Sequence, residues 1–350
     1  MGNLYDVLID GIENNKLRVL SLFSGIGAFE KALTNLDIDY KLVNYCEINE
    51  HASKCYSLIH NVSEDLNLVD ITTVDTSKLD DFDLLTHGSP CQSFSSAGKQ
   101  EGGVKGSGTQ SSLLWETIRI IQDKKPRFVI WENVKNVLSQ KHLPVFNEYL
   151  KELETLGYKN YIPPKGVLNS KDFGIPQSRE RLFVVSILGE HEPYEFPKGF
   201  RLETDLSDFI DFRDIDDITY NFHRRYNEKY GEITLEEFEN YIENLPVTRG
   251  IGTKKMKLYD FNEMDTITTS TGLTGTLTCR NVQNFNKKFW YNKKLYKPSP
   301  KMCWKLMGFT DDDFDKVKHI GNDSDLWNRA GNSIVVNVVE AIFKNLFQNN

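Results

Sequence analysis

Short apolar runs alternate with amphipathic stretches through the first half of the chain. The run Leu17–Leu22 is apolar at nearly every position, which suits a strand buried on both faces of a parallel sheet. It ends in Phe23-Ser24-Gly25-Ile26-Gly27, a glycine-bearing turn, and helical spacing begins near Ala28. Similar apolar runs recur at 41–46, 82–86, 128–131 and 182–188, with helical periodicity over 113–122 and 144–156. This alternation predicts an α/β fold with a mostly parallel, doubly wound, Rossmann-like sheet. After about Glu190 the alternation stops, and the chain turns polar, aromatic and irregular. The expected division is a larger domain from 1–190 and 325–350, and a smaller, irregular one from 191–324 that includes the hinge segment. From Ile334 the chain regains helical spacing, and Gly331-Asn332-Ser333 reads as a turn and cap ahead of that helix. No internal repeat or low-complexity tract stands out.

Composition narrows the picture. The 350 residues are 39% hydrophobic, enough for a full core and about two domains. The formal net charge of −8 weighs against a broad phosphate-binding surface. Local basic stretches at 222–226, 248–255 and 286–301 run against that total. No apolar run is long enough to span a bilayer. The first residues lack both a secretion pattern and the Ser or Thr expected for myristoylation. The five cysteines, Cys46, Cys55, Cys91, Cys279 and Cys303, form no C-x-x-C pair. An odd count without such pairs argues against a disulfide framework or a zinc site, predicts a reduced cytoplasmic compartment and no metal, and leaves a cysteine for chemistry.

Four segments carry candidate chemistry. The Phe23–Gly27 turn would let backbone approach a ligand at the carboxyl end of the sheet, although Glu30 stands where a dinucleotide fingerprint has its third glycine. Glu47, about 20 residues on, is placed to hold two ribose hydroxyls, and Asp70-Ile71, read as following a further strand, to meet an adenine amine. The same residues also fit an ordinary strand–turn–helix with surface acids. Gly88-Ser89-Pro90-Cys91 follows the 82–86 strand, so Cys91 reaches the same edge. Its thiol needs a helix N-terminus or a cation to raise the thiolate fraction, and the alternative is a buried structural cysteine. The strand from Phe128 ends in Glu132-Asn133-Val134, delivering a carboxyl group that burial would keep protonated, or merely a capping acid. Gln177-Ser178-Arg179-Glu180-Arg181 precedes the 182–188 strand. If that strand begins early, Arg179 and Arg181 share a face suited to a carbonyl, a carboxylate or a phosphate; otherwise they are solvated charges.

Together these segments resemble, in order, the motifs of the DNA cytosine-5 methyltransferases. The matching residues are Phe23-Ser24-Gly25-x-Gly27, Pro90-Cys91-Gln92, Glu132-Asn133-Val134, Gln177-x-Arg179-x-Arg181 and Gly331-Asn332-Ser333, with Lys305-Leu306-Met307-Gly308-Phe309 ahead of the last. The resemblance covers nearly the whole chain except about 191–265.

The resemblance implies an S-adenosylmethionine-dependent fold and activity, with S-adenosylhomocysteine as product. Phe23, Ser24, Gly25, Gly27, Glu47, Ile48, Asp70, Ile71, Pro90, Leu113, Asn332 and Ser333 would surround the cofactor. Many members carry a tryptophan where this chain has Ile48, so aliphatic packing would replace stacking. Cys91 would attack cytosine carbon 6, Glu132 would bond N3 and the exocyclic amine, Arg181 would hold O2, and Arg179 would orient Glu132. The target would be flipped from double-stranded DNA. Gln92, Ser95, Gly98 and Lys99 would belong to a DNA-closing loop over 97–112. The smaller domain would be the target-recognition domain. A monomer working beside a cognate restriction endonuclease, away from any membrane, completes the expectation. The rival reading is a transfer-RNA cytosine methyltransferase, but that branch carries a Cys-Phe-Thr signature, and here Cys279 precedes Arg280 and Cys303 precedes Trp304.

Overall fold

The structure, a computed structural model, describes residues 16–90, 106, 108–211, 215–248, 253–256, 265–269, 271–277 and 287–348. The chain divides into two compact units. One comprises 1–169, 180–199 and 333–350; the other comprises 170–179 and 200–332. These limits differ from 190 and 325. Tyr194 packs against the C-terminal helix, its hydroxyl donating to Ile342 O at 3.5 Å, and Asn345 Nδ2 donates to Glu195 O at 3.1 Å, so 190–199 stay with the first unit.

The first unit is built on a seven-stranded sheet. Its strands are β1 (Leu17–Leu22), β2 (Tyr40–Cys46), β3 (Leu84–His87), β4 (Phe128–Val134), β5 (Tyr158–Tyr161), β6 (Leu168–Asn169) and, after β7 (Gln177–Ser178) of the second unit, β8 (Glu180–Leu188). The order is β2-β1-β3-β4-β8-β5, with β6 beside β8. Strands β2, β1, β3 and β4 run parallel, and β8 is antiparallel to β4, β5 and β6. The chain leaves β1 toward β2 and returns to β3 on the other side, so the topological switch lies between β1 and β3. There Leu22 pairs with His87, and His87 with Trp131. Strand β4 runs three residues further, carrying Glu132, Asn133 and Val134 past the end of β3.

Alternation along β4 explains the layers. Val129 and Trp131 face a core shared with helices α3 (Leu114–Lys124) and α4 (Leu143–Thr155), through Trp115, Ile118, Phe146 and Tyr149. Phe128, on the other face, meets Phe347 edge-on at 5.4 Å. On that side helix α1 (Ala28–Asn35) packs on the C-terminal α10 (Val336–Phe343), Phe29 lying 6.3 Å from Phe343. Helix α2 (Glu50–His60) follows β2, capped by Asn49, which accepts from Ala52 N at 2.9 Å. Asp70 follows no extended strand: the pairing just ahead of it is an isolated bridge between Tyr45 and Asn67.

The second unit is more regular than its sequence pattern suggests. Strands β9 (Asp216–Asp217), β10 (Val247–Thr248), β11 (Thr253–Met256), β12 (Asp265–Thr269), β14 (Lys287–Tyr291) and β15 (Lys294–Lys297) form a six-stranded sheet in the order β10-β11-β12-β14-β15-β9. Helices α5 (Thr219–Tyr230) and α6 (Leu235–Asn244) cover it through Phe222, Phe238 and Ile242 against Ile267, Trp290 and Leu295. Strand β13 (Thr274–Gly275) pairs with β7. Helices α7 (Pro300–Lys305), α8 (Asp311–Val317) and α9 (Asp323–Asn332) close the unit. Gly331 and Asn332 are therefore the last turn of α9 rather than a turn and cap, and α10 begins at Val336, its N-cap Val335 providing no side-chain hydrogen bond. Among the described residues no helix is long and apolar enough to cross a membrane.

Candidate active site

The site is built at the carboxyl edge of β1, β2, β3 and β4 in the first unit. After β1 the chain turns sharply: Phe23, Gly25 and Gly27 all have positive φ, at 53°, 56° and 79°. The turn is tied to β2 by Ser24, whose N and Oγ both donate to Cys46 O, at 3.1 and 3.2 Å. The two glycines serve different ends. At Gly27 a Cβ would lie 2.0 Å from His60 Nε2, an atom that bonds Ile26 O at 3.1 Å. At Gly25 a Cβ would meet nothing within 4 Å. Gly25 thus keeps open space at the turn, as close backbone approach to a ligand requires.

Glu47 sits opposite. Its Oε2 accepts from Gly25 N at 2.9 Å and its Oε1 from Asn49 N at 2.8 Å. Burial pushes its pKa up, while those two amides pull it back down. Asn67 locks the adjoining backbone, its Oδ1 accepting from Glu47 N at 3.0 Å and its Nδ2 donating to Glu47 O at 2.9 Å. Ile48 is 73% exposed and Val69, a β-branched residue held at φ 60°, is 51% exposed. Asp70 caps the turn Ile71–Thr73 through Oδ1, which accepts from Thr72 N at 2.9 Å, and Ile71 is buried. A fixed carboxylate beside open space, flanked by exposed aliphatic side chains, fits the ribose and base of an adenosyl cofactor.

A second group of candidate residues lies along β3 and β4. Glu132 is nearly buried, and Arg181 Nε stands 3.2 Å from its Oε1. The register explains the pair: Arg181 faces Val134 across the ladder, so it lies diagonal to Glu132 on one face. A Cβ on Gly88 would lie 3.7 Å from Glu132 Oε2, so the carboxyl group sits directly beside the strand end that leads to Pro90. Pro90 is half-buried, and its carbonyl accepts from Ser111 Oγ at 2.8 Å. Leu113 caps α3 and packs, half-buried, against the core. Cys91, Gln92, Ser95, Gly98 and Lys99 lie outside the described residues.

The two arginines part company. Strand β8 starts at Glu180, so Arg179 does not continue the face of Arg181. The buried Arg179 guanidinium donates from Nη1 to Leu277 O at 2.7 Å and from Nη2 to Gly331 O at 3.0 Å, within the second unit. Gln177 does similar work there: Nε2 donates to Leu306 O at 2.9 Å, and Oε1 accepts from Leu277 N at 3.0 Å. Asn332 ends α9 in the second unit; Ser333, buried, belongs to the first. Sequence reasoning passed over Asn67, Ser89 and Ser111, whose partners lie far along the chain. Cys46, Cys55 and Cys303 are buried and form no disulfide, and burial pushes the Cys46 thiol up to about 12. Among the described residues no group of three or more His, Cys, Asp or Glu side chains is arranged to hold a metal ion.

Comparison with known proteins bears on this arrangement. A family profile described as C-5 cytosine-specific DNA methylase matches residues 17–348. The chain is 31% identical to the type II methyltransferase M2.ScrFI of Lactococcus lactis subsp. cremoris, over 95% of this chain and 99% of that one. It is 30% identical to the type II methyltransferase M.HhaI of Haemophilus parahaemolyticus, over 94% of each. In fold it resembles the S. pombe Dnmt2 methyltransferase, with a TM-score of 0.67 at 20% identity, over 95% of this chain and 98% of that structure.

Proposed function

The chain belongs to the C-5 cytosine-specific DNA methylase family, and from that membership we propose that Cys91, Glu132 and Arg181 carry out the methylation of cytosine carbon 5. The enzyme is an S-adenosylmethionine-dependent DNA cytosine-5 methyltransferase, related to type II restriction-modification enzymes. When bound, S-adenosylmethionine supplies an electrophilic methyl group and leaves as S-adenosylhomocysteine.

The chain's residues divide the work. The Phe23–Gly27 turn and Glu47 hold the cofactor, with Ile48, Asp70, Ile71, Pro90, Leu113, Asn332 and Ser333 contributing to its site. Cytosine carbon 5 is too weak a nucleophile to attack a methyl sulfonium unaided. The Cys91 thiolate adds to carbon 6 of a flipped-out base, and the ring electrons move toward carbon 5. Glu132 bonds ring N3 and the exocyclic amine, where negative charge gathers, and Arg181 bonds O2. Carbon 5 takes the methyl group, then loses its proton to ordered water, and the returning electron pair expels the Cys91 thiolate. Arg179, through its carbonyl contacts, positions the motif rather than the base. The observation that supports this reading is the Glu132–Arg181 pair at 3.2 Å, beside the strand end that leads to Cys91.

On this reading the substrate is duplex DNA, the active species is a cytoplasmic monomer, and a restriction endonuclease is its functional counterpart. The part of the second unit that falls within 191–324 supplies target recognition. Bisulfite sequencing of DNA from cells expressing the chain tests the reading and maps the recognition sequence. The intact chain converts a defined cytosine to 5-methylcytosine; Cys91→Ala abolishes methylation and still binds S-adenosylmethionine. Turnover by Cys91→Ala, or preference for transfer RNA over duplex DNA in a competition assay, refutes the assignment.

A further inference from the structure

Ser89 lies two residues before Cys91 and is 3% exposed. A hydroxyl in such a place destabilises the fold unless it is bonded. Trp131 Nε1 donates to Ser89 Oγ at 3.0 Å. Asn133 Nδ2 donates to Ser89 O at 3.1 Å and lies 3.3 Å from its Oγ. Both donors are themselves fixed. Asn133 Oδ1 accepts from Val134 N at 2.8 Å. The Trp131 indole lies parallel to the His87 ring, 3° apart with centroids at 5.9 Å, and 4.5 Å from Tyr149. The Tyr149 hydroxyl and His87 Nε2 are 2.9 Å apart. The next carbonyl, Pro90 O, is held in turn by Ser111. Two consecutive carbonyls ahead of the nucleophile are therefore anchored by side chains from separate elements.

Resting on the reading of Cys91 as nucleophile, we propose that Ser89, gripped by Trp131 and Asn133, is a positioning residue for methyl transfer. It holds the backbone from which Cys91 reaches carbon 6. Covalent attack needs the reacting atoms about 3–3.5 Å apart and aligned, and a shift of about 1 Å can cost roughly 10²-fold in rate. Trp131 is specific in this role because it offers its single N–H to Ser89 while its ring is buried between His87 and Tyr149.

The test compares Ser89→Ala, Trp131→Phe and their double variant with the intact enzyme and with Cys91→Ala. The substrate is duplex DNA carrying the site mapped by bisulfite sequencing. Single-turnover methyl transfer should fall about 10- to 100-fold in Ser89→Ala. Dissociation constants for S-adenosylmethionine and for DNA should stay close to those of the intact enzyme, while the thermal midpoint falls, because Trp131 Nε1 is left buried without its acceptor. Because the two side chains share one bond, the double variant should be no slower than the slower single one. Trp131→Phe keeps an aromatic ring at the site and removes the donor together with the five-membered part of the indole, so it gives an independent reading of the lost bond if Ser89→Ala folds poorly. Single-turnover rates within twofold of the intact enzyme for both singles, with Cys91→Ala inactive, overturn the proposal. So do losses that merely follow weakened cofactor binding. Retained turnover in Cys91→Ala would instead unseat the nucleophile reading.

Discussion

The two sides of the site are held by different means. On the cofactor side, backbone does the holding: Gly25 N and Asn49 N grip Glu47, Ser24 N ties the turn to Cys46 O, and the outward side chains Ile48 and Val69 are left to solvent. On the reaction side, buried side chains hold one another: Trp131 and Asn133 on Ser89, Arg181 on Glu132, His87 on Tyr149. Backbone cradles tolerate variation in the residues around them, whereas a buried polar network loses function when one member is removed. Changes on the first side should weaken binding, and changes on the second should slow chemistry.

The largest effect should come from Arg181→Ala. Loss of a donor aimed at developing charge is worth about 10²–10³ in rate, so kcat should fall by that factor while the cofactor dissociation constant moves less than threefold. Single-turnover kinetics and calorimetry separate the two; a matching rise in the dissociation constant would erase the contrast. Next is Glu47→Gln. It replaces charge-assisted hydrogen bonds with neutral ones, a difference of about 1–1.5 kcal/mol. The cofactor dissociation constant should rise about tenfold, with kcat at saturating cofactor nearly unchanged. A fall in kcat larger than the loss of affinity would break the comparison from the other side.

The smallest effect concerns stability, beneath the cofactor turn. Glu30 is fully buried on α1, and among the described residues its carboxyl oxygens have no partner in hydrogen-bonding geometry, although the hydroxyls of Ser21 and Tyr56 face it. Burial pushes its pKa from 4.5 to about 7, and burial, followed by the Glu30 charge, raises the pKa values of Tyr40 and Tyr56. Below pH 4.5 both folded and unfolded chains hold this proton, so Glu30 adds no pH dependence. As pH rises to about 7 the unfolded chain releases it and the folded chain does not, so stability falls, by at most about 3 kcal/mol. Glu30→Gln should therefore stabilise the protein by about 2 kcal/mol at pH 8 and by almost nothing at pH 4. Denaturant unfolding at the two pH values reads the difference, and an equal effect at both would refute the assignment.

Much of the first unit was legible because its signals are local and long. Six consecutive residues of β1, five of them buried, announce a parallel strand, and Gly25 and Gly27 announce the turn that follows. Glu132 and Arg181 were legible from motif order, though their meeting depends on a β4–β8 register that spacing does not reveal. The second sheet was not legible, because strands of two to five residues are too short to show alternation. The carbonyl partners of Arg179 were not legible for a different reason. They lie 98 and 152 residues away, and a buried guanidinium goes where carbonyls need donors. Ser89 was silent for the same cause: its partners are 42 and 44 residues downstream.

The split between Gln177-Arg179 and Arg181 has a practical side. Anyone exchanging specificity between relatives by grafting would naturally cut near residue 190 and again near 325. That cut would leave 170–179 behind, and with them the guanidinium and amide that satisfy Leu277 and Leu306. The transplant has to be discontinuous: a ten-residue piece, 170–179, travelling with 200–332, spliced around a host strand that keeps its own Arg181.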